Sequence, residues 1–274
     1  MNPPVRRMGF LLRPGLSQEG EWGERIEERC SALEILVTKA GIDESLEARE
    51  RVFQESELVV VLGGDGTFLQ AAVQAALCDI PLLGVNRGGL GFLTEFTREE
   101  FSLYLDSLAA GEYTLKERSL LGVRVGERSL LALNDVVFTK ESHLQMVRLR
   151  IVVNRREFCV IRADGLIVSS PTGSTAYNLS AGGPILEPEG RNIVITPICS
   201  HSLTLRPVVL APGAEVEVEV LEGNLVSVNA DGRNGISLLK GKRALVSESR
   251  HRLRVVTNPD RDYFALLREK LKWG

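Results

Sequence analysis

Long apolar runs and an excess of one charge are both missing from this sequence of 274 residues. The longest apolar runs, such as residues 58–62, have strand length, far below the roughly 18 residues that a membrane helix needs. Lys and Arg number 33 against 36 Asp and Glu, so the net charge of −3 argues against a nucleic-acid or membrane partner. Residues 1–13 lack the features of a secretory signal, and we therefore expect a cytoplasmic protein.

Cysteine is also scarce, and its spacing excludes a familiar kind of metal site. The four residues form no C-x-x-C pair and have no histidine at ligand spacing: Cys30, Cys78, Cys159 and Cys199. We expect buried, reduced thiols. The composition, 44% hydrophobic and 25% charged, is otherwise that of an ordinary folded protein whose length suits two domains or one large one.

The hydrophobic pattern changes period near residue 118. Before it, fully apolar runs such as 58–62 alternate with helical spacing, which predicts an α/β domain with a parallel sheet over 1–118. The first helical pattern extends as far as Gly41, through Trp22, Ile26, Cys30, Leu33, Val37 and Ala40. Residues 119–259 alternate apolar and charged positions, which predicts a β-rich, sandwich-like domain. A last helix over 260–274 is expected to pack back on the first domain.

The most informative segment is a glycine-rich turn between the buried strand 58–62 and an apolar helix. Its residues are Gly63, Gly64, Asp65, Gly66 and Thr67. A strand-glycine-helix junction directs backbone amides and a positive helix end at an anion, so the turn is a candidate phosphate loop. It matches neither the dinucleotide fingerprint nor the Walker loop. Asp65 is then either a general base beside the phosphate or a cap of the following helix.

Three further polar segments are candidates for the same site. Residues 86–93 form a second glycine-rich loop after the next buried strand, where it would lie beside the first or simply form a tight turn. Residues 170–184 combine hydroxyls, glycines and Tyr177, a set that suits a nucleoside, although a surface loop would also explain it. Asn134 and Asp135 interrupt strand-like sequence, which a turn explains almost as well.

These segments resemble the bacterial NAD kinases in their order and spacing. The resemblance lies in residues 63–67, 83–95, 134–135 and 164–184, and it extends over most of the chain. The first segment alone is shared with diacylglycerol and sphingosine kinases, so it is the long block 164–184 that limits the resemblance to NAD kinases. It implies transfer of the γ-phosphoryl of ATP, or of polyphosphate, to the 2′-hydroxyl of the adenosine ribose of NAD. It also implies Mg²⁺ or Mn²⁺ accompanying ATP and a homodimer or homotetramer.

The resemblance also implies roles for individual residues. Asp65 matches the proton acceptor and contacts NAD together with Gly66, while Asn134 and Asp135 match the pair at the adenosine part. Asp164 matches an acidic residue at the nicotinamide end. The segment that wraps the dinucleotide matches Thr175, Ala176, Tyr177, Asn178, Leu179 and Ser180.

Three positions of variable identity complete the implied NAD contacts: Gln145, Arg162 and Arg233. Arg162 is equally consistent with an exposed arginine of a strand, and Arg233 with a turn residue.

Two other functions stay open. A lipid kinase would share residues 63–67 but needs an apolar acyl pocket, against which the polar loop 170–180 argues. A sensor that binds NAD without catalysis is the non-enzyme alternative, and Asp65 argues against it.

Overall fold

The computed structural model describes residues 2–13, 20–86, 88–89, 91–140, 146–223 and 225–273. Contacts divide the chain into two compact units, residues 1–117 with 253–274 and residues 118–252. The division falls within two strands, β6 (Thr114–Val125) and β17 (Arg243–Thr257). The predicted domain boundary near 118 stays a prediction, because compactness does not show that either unit folds alone. No helix in the described ranges is both long and apolar enough to cross a membrane.

The first unit is a parallel α/β structure. Its strands are β1 (Arg7–Leu12), β2 (Leu36–Gly41), β3 (Leu58–Leu62), β4 (Leu82–Asn86) and β5 (Phe96–Thr97). Its helices are α1 (Gly20–Ala32), α2 (Leu46–Gln54), α3 (Asp65–Cys78), α4 (Arg98–Ala110) and α6 (Tyr263–Leu271). The strands pair in the order β2-β1-β3-β4, all parallel, and the end of β17 joins β4 through Val255 and Leu82. Every side chain of β3 is buried, as its continuous apolar run predicts.

Helix α4 shows how local sequence sets an element of this unit. The Thr97 side chain accepts a hydrogen bond from the Glu100 amide, and the Glu100 carboxylate accepts one from the Thr97 amide. Thr97 and Glu100 have the sequence spacing of a capping box, and these two hydrogen bonds form it. Phe101 on the buried face of α4 meets Phe10 of β1 edge to face, with ring centroids 6.2 Å apart. The two rings lie in the single hydrophobic cluster that joins helix and sheet.

The predicted helix over 22–40 is wrong in its second half. Helix α1 ends at Ala32, and Val37 and Ala40 lie in the parallel strand β2. Glu34 adopts a left-handed φ of 56°, and the Ile35 amide donates to the Cys30 carbonyl at 2.8 Å. The helix therefore ends without the glycine that usually marks such a stop.

The second unit is a two-sheet antiparallel sandwich. Besides its parts of β6 and β17, it contains β7 (Arg128–Ala132), β8 (Asp135–Lys140), β9 (Val147–Val153), β10 (Arg156–Ala163), β11 (Gly165–Ser169), α5 (Tyr177–Ser180), β12 (Ile193–Ile198), β13 (Val208–Leu210), β14 (Glu215–Glu222), β15 (Leu225–Ala230) and β16 (Arg233–Leu239). One sheet has the order β10-β9-β14-β17, and the other has the order β13-β12-β11-β8-β15-β16. Alternate residues of each sheet, such as Val218 and Val228, fill one core between them. The structure confirms the predicted fold class.

The expectation for the cysteines is only partly correct. All four are free thiols, but only Cys30 is buried, Cys159 is half-buried, and Cys78 and Cys199 are exposed. Cys78 ends α3 on its solvent side, and Cys199 follows β12 with a left-handed φ of 45°. Spacing in the sequence reports on pairing and metal binding, and it does not report on which side of an element a thiol lies.

Candidate functional site

The glycine-rich turn 63–67 connects β3 directly to α3. Gly64 is the N-cap residue, with φ −91° and ψ −175°, and the Gly63 amide donates to the Val85 carbonyl at 3.0 Å. Asp65 and Gly66 occupy the first turn of α3, where a helix offers their amides no carbonyl partner. Gly66 is exposed, whereas Thr67 is buried. The turn therefore presents backbone amides that have no acceptor within the helix, together with the positive end of the helix dipole, as a phosphate loop requires.

Asp65 does not cap its own helix, so the capping alternative is wrong. Its Oδ1 accepts hydrogen bonds from the amides of Leu93 (3.1 Å) and Thr94 (3.2 Å) and from the Thr94 hydroxyl (3.0 Å). Its Oδ2 accepts one from the Phe92 amide at 2.9 Å. The carboxylate thus joins the two glycine-rich loops, for which the sequence predicts neighbouring positions at the carboxyl ends of adjacent strands.

The second loop is shaped to receive this carboxylate. A Cβ on Gly91 would lie 2.0 Å from Asp65 Oδ1, so only glycine fits at this position without displacing Asp65. Thr94 is fully buried, and its hydroxyl also accepts a hydrogen bond from Asn86 Nδ2 at 3.1 Å. Asn86 in turn donates to the Gly89 carbonyl at 3.0 Å. The chain of hydrogen bonds from Asn86 through Thr94 fixes the orientation of Asp65.

In the second unit, Asn134 and Asp135 lie where the chain passes from one sheet to the other. The Leu133 and Asn134 amides donate to the Asp231 carboxylate, each at 2.8 Å, and the Asp135 amide does so at 3.3 Å. The Asn134 carbonyl accepts from the Ser170 amide at 2.8 Å. Asn134 is half-buried and Asp135 is only 5% exposed.

The hydroxyl-rich segment packs against these residues. It forms a short 3-10 helix, Thr172–Thr175, followed by α5. A Cβ on Gly173 would lie 2.1 Å from the Asn134 carbonyl oxygen, which explains why a glycine occupies this position. The structure thus places the beginning of the hydroxyl-rich segment, at Ser170 and Gly173, against Asn134 within one unit.

The side chains of this segment divide between solvent and core. Tyr177 is 43% exposed, Ser180 is exposed, and Thr175, Ala176 and Leu179 are half-buried. Asn178 is fully buried: its Nδ2 donates to the carbonyls of Ser174 and Pro184, and its Oδ1 accepts from the Thr196 hydroxyl. Asn178 therefore holds the segment in shape, and its predicted contact with NAD stays a prediction.

Of the remaining predicted contacts, Asp164 and Arg162 lie apart from residues 134–135, whereas Arg233 lies near them. Asp164 forms an ion pair with Lys140, with Oδ1 and Nζ 2.5 Å apart, at the opposite end of β8 from Asp135. Arg162 is exposed, with its Nη2 3.4 Å from Glu222 Oε2. Arg233 begins β16 just after Asp231. Gln145 lies outside the described residues.

Two neighbouring acids give residues 134–135 an unusual electrostatic setting. Burial and the charge of Asp231 raise the pKa of Asp135 to about 7. Burial also raises the pKa of Asp231, but three backbone amides and Arg233 oppose that rise. Because Asp231 holds all those donors, we assign the negative charge of the pair to Asp231 and the proton to Asp135.

Sequence reasoning missed two residues, one in each unit, that hold the candidate segments in place. The sequence assigns no role to Asp231, because its local signal, Asp231-Gly232, is that of an ordinary hairpin turn. Thr94 lies within residues 83–95, which carry the resemblance, but the sequence assigns it no role. In the part of the chain that the structure describes, no three His, Cys, Asp or Glu side chains come together as metal ligands.

Known proteins share both units with this chain. The families described as ATP-NAD kinase N-terminal domain and ATP-NAD kinase C-terminal domain match residues 13–113 and 133–258. An NAD kinase of Aquifex aeolicus is 42% identical over 227 residues, 81% of this chain and 83% of that protein. One of Wolinella succinogenes is 37% identical and covers 98% of this chain and 96% of its own length.

Solved structures show the same fold. An NAD kinase from Archaeoglobus fulgidus in complex with ATP has a TM-score of 0.79 and 25% identity, covering 97% of this chain and 98% of that one. Yeast NADH kinase complexed with NADH has a TM-score of 0.82 and 23% identity, covering 99% and 89%. The family matches and the identities over most of each relative establish that this chain belongs to the NAD kinase family.

Proposed function

We propose that this chain transfers the γ-phosphoryl group of ATP to the 2′-hydroxyl of the adenosine ribose of NAD, giving NADP and ADP. Family membership and relatives named NAD kinase support the activity. The observation that carries the mechanism is the placement of Asp65, a carboxylate in the first turn of α3 held by four donors of the second loop.

In the proposed reaction, Asp65 accepts the proton of the 2′-hydroxyl. A bond forms between the ribose oxygen and the γ-phosphorus, and the bond from that phosphorus to the β,γ-bridging oxygen breaks. The first-turn amides of α3 offer hydrogen bonds to the negative charge of the phosphates. A base must lie within hydrogen-bond reach of the proton it removes, so the hydrogen bonds that orient Asp65 are part of the catalytic arrangement.

NAD recognition is assigned to the second unit. Asn134 and Asp135 are proposed to bind the adenosine part, and the exposed ring of Tyr177 offers a face for stacking. Asp164, at the other end of β8, is proposed to lie near the nicotinamide end. We propose that Mg²⁺ or Mn²⁺ enters bound to ATP, and the absence of a cluster of three His, Cys, Asp or Glu side chains among the described residues supports this.

The test is NADP formation by the purified chain, measured with an NADP-specific coupled dehydrogenase. We expect activity with NAD and ATP, and Asp65→Asn is expected to lower kcat by about 10²- to 10⁴-fold. Its melting temperature is expected to fall, because an amide nitrogen cannot accept the hydrogen bonds of the carboxylate oxygen that it replaces, and a cooperative melt shows that the variant still folds. Asp43→Asn, at an exposed position in the same unit, is the matched control. A folded Asp65→Asn enzyme with wild-type turnover would exclude the base role and leave the activity itself intact.

The same assay separates the alternative functions and donors. Diacylglycerol in place of NAD tests the lipid kinase, and polyphosphate in place of ATP tests the second donor. A chain that binds NAD but forms no NADP with either donor would be a sensor. Self-association and a cytoplasmic location are proposals that rest on the sequence; a monomer in light scattering would contradict the first.

A further inference from the structure

The three residues 133–135 have an unusual way of satisfying their backbone amides. Strand β7 ends at Ala132, paired with Leu121 of β6, and β8 begins at Asp135, paired with Ser169 in the other sheet. Between the two sheets the amides have no strand ladder to join. The Asp231 carboxylate supplies their acceptors, with Oδ2 bound to Leu133 and Oδ1 to both Asn134 and Asp135. Buried amides need such partners.

Asp231 is itself locked in place. It follows the last residue of β15 with a left-handed φ of 51°, and its amide donates to the Asp135 carbonyl at 3.0 Å. Side chain and main chain of one residue thus bind both the amide and the carbonyl of Asp135. On the other side, the Ser170 hydroxyl donates to the Leu133 carbonyl, and the Ser170 amide donates to the Asn134 carbonyl. Together these hydrogen bonds hold the backbone of residues 133–135 in a single conformation.

From this geometry we infer that Asp231 is a positioning residue for NAD: it fixes the backbone of residues 133–135 so that the side chains of Asn134 and Asp135 meet the adenosine part. The inference rests on the proposed function. Both oxygens of Asp231 are occupied by backbone amides, so Asp231 acts through its neighbours. A misplacement of about 1 Å is enough to cost recognition, which is why a rigid support matters at this point.

The chain offers a matched control at a second hairpin turn of the same unit. Asn154, between β9 and β10, has a left-handed φ of 50°, and its amide donates to the Glu215 carbonyl at 3.0 Å. Its Oδ1 accepts from the Glu215 amide at 2.9 Å. Asn154 therefore ties a turn to a neighbouring strand as Asp231 does, but the strand that it holds carries none of the predicted NAD contacts.

The experiment compares Asp231→Ala, Asp231→Asn and Asn154→Ala in the full chain. KM for NAD, KM for ATP, kcat and the melting temperature are measured for each variant. Asp231→Ala is expected to raise KM for NAD about 10-fold or more, while kcat and KM for ATP change by less than about 3-fold. Asp231→Asn keeps one acceptor oxygen, and its KM for NAD is expected to lie between those of the wild type and Asp231→Ala. Asn154→Ala is expected to lower the melting temperature and leave KM for NAD unchanged.

Each result decides the inference. An unchanged KM for NAD in Asp231→Ala overturns it, as does an equal rise in Asn154→Ala, because a general loss of rigidity would then explain both. If Asp231→Ala does not fold, the KM of Asp231→Asn decides in the same way. If the wild-type chain forms no NADP, the proposed function fails, and calorimetric titration of the same variants with NAD then tests the positioning role independently.

Discussion

Asp135 and Asp231 are two acids that share one buried region and differ in their partners. The Asp231 carboxylate accepts hydrogen bonds from three backbone amides, whereas no donor among the described residues reaches the Asp135 carboxyl. The pKa of Asp135 is therefore raised to about 7 by burial and by the charge of Asp231. A neutral carboxyl can donate as well as accept a hydrogen bond, which widens what Asp135 can recognise on a base edge or a ribose.

This raised pKa predicts a pH-dependent stability. Folded Asp135 keeps its proton up to about pH 7, whereas the unfolded group loses it near its ordinary value of 3.8, so stability falls as pH rises between these values. The contribution is at most about 4 kcal/mol. Asp135→Asn is neutral at every pH, and urea unfolding at pH 8.5 should show it more stable than the wild type. The difference should fall to less than half of that value at pH 5 and vanish only below the unfolded pKa of 3.8. A difference independent of pH would contradict the assignment.

The two glycine-rich loops act as one element of the site because Asp65 connects them. Gly91 is the point of closest approach, since its Cβ would overlap Asp65 Oδ1. Gly91→Ala is therefore expected to displace the carboxylate and lower kcat by about 10²-fold, the lower range for loss of a general base. Turnover is measured by NADP formation, and binding of NAD by calorimetric titration.

Gly89 provides the control for this substitution. It lies in the same loop, and a Cβ there would meet no atom within 4 Å. Gly89→Ala should keep turnover within about 3-fold of the wild type, as expected for an exposed site without contacts. Equal losses in the two variants would indicate that the loop needs glycines for another reason, and the idea that Gly91 makes room for Asp65 would fail.

Elements with a long, regular pattern could be predicted from the sequence, and their ends could not. The apolar run 58–62 and the Thr97–Glu100 capping box carry their own local explanation. Val37 and Ala40 fit the helical period of α1 by coincidence. The sequence gives no sign that the helix ends before them, because the residue with the left-handed φ is Glu34 and not a glycine. Their place in β2 depends on pairing with β1, which a local pattern does not record.

The same limit applies to the candidate site. Asp65, Asn134 and residues 175–180 lie in contiguous segments whose composition already suggests chemistry. The role of Asp231 arises from hydrogen bonds to residues 96 to 98 positions earlier, and no local pattern records such a contact. Asn178 shows the opposite case, because its polar side chain lies within a predicted binding segment and is used to hold that segment together.

At the scale of the complete chain, the first unit is built from two separate pieces of sequence. Residues 253–274 return to it after the whole of the second unit has been formed. Val255 joins the parallel sheet beside Leu82, and the Asn258 amide donates to Glu95 at 3.0 Å. The division differs from the sequence-based proposal, in which the second domain continued to residue 259. Residues 253–259 contribute buried side chains to the first unit.

Two truncations distinguish these descriptions. Removing residues 253–274 takes away Leu253, Val255 and Val256, all buried, at a cost of about 1.5 to 3 kcal/mol each. That sum approaches the total stability of about 5 to 15 kcal/mol of an ordinary domain, so the first unit of the shortened chain should not fold. Removing residues 263–274 takes away only α6, in which Leu267 is the buried residue, and should lower the melting temperature while NADP formation persists. Circular dichroism melts and soluble yield are the measurements. A cooperative loss of the helical circular dichroism signal in the chain ending at residue 252 would show that the first unit does not depend on its second piece, because the long helices that the structure describes all lie in that unit.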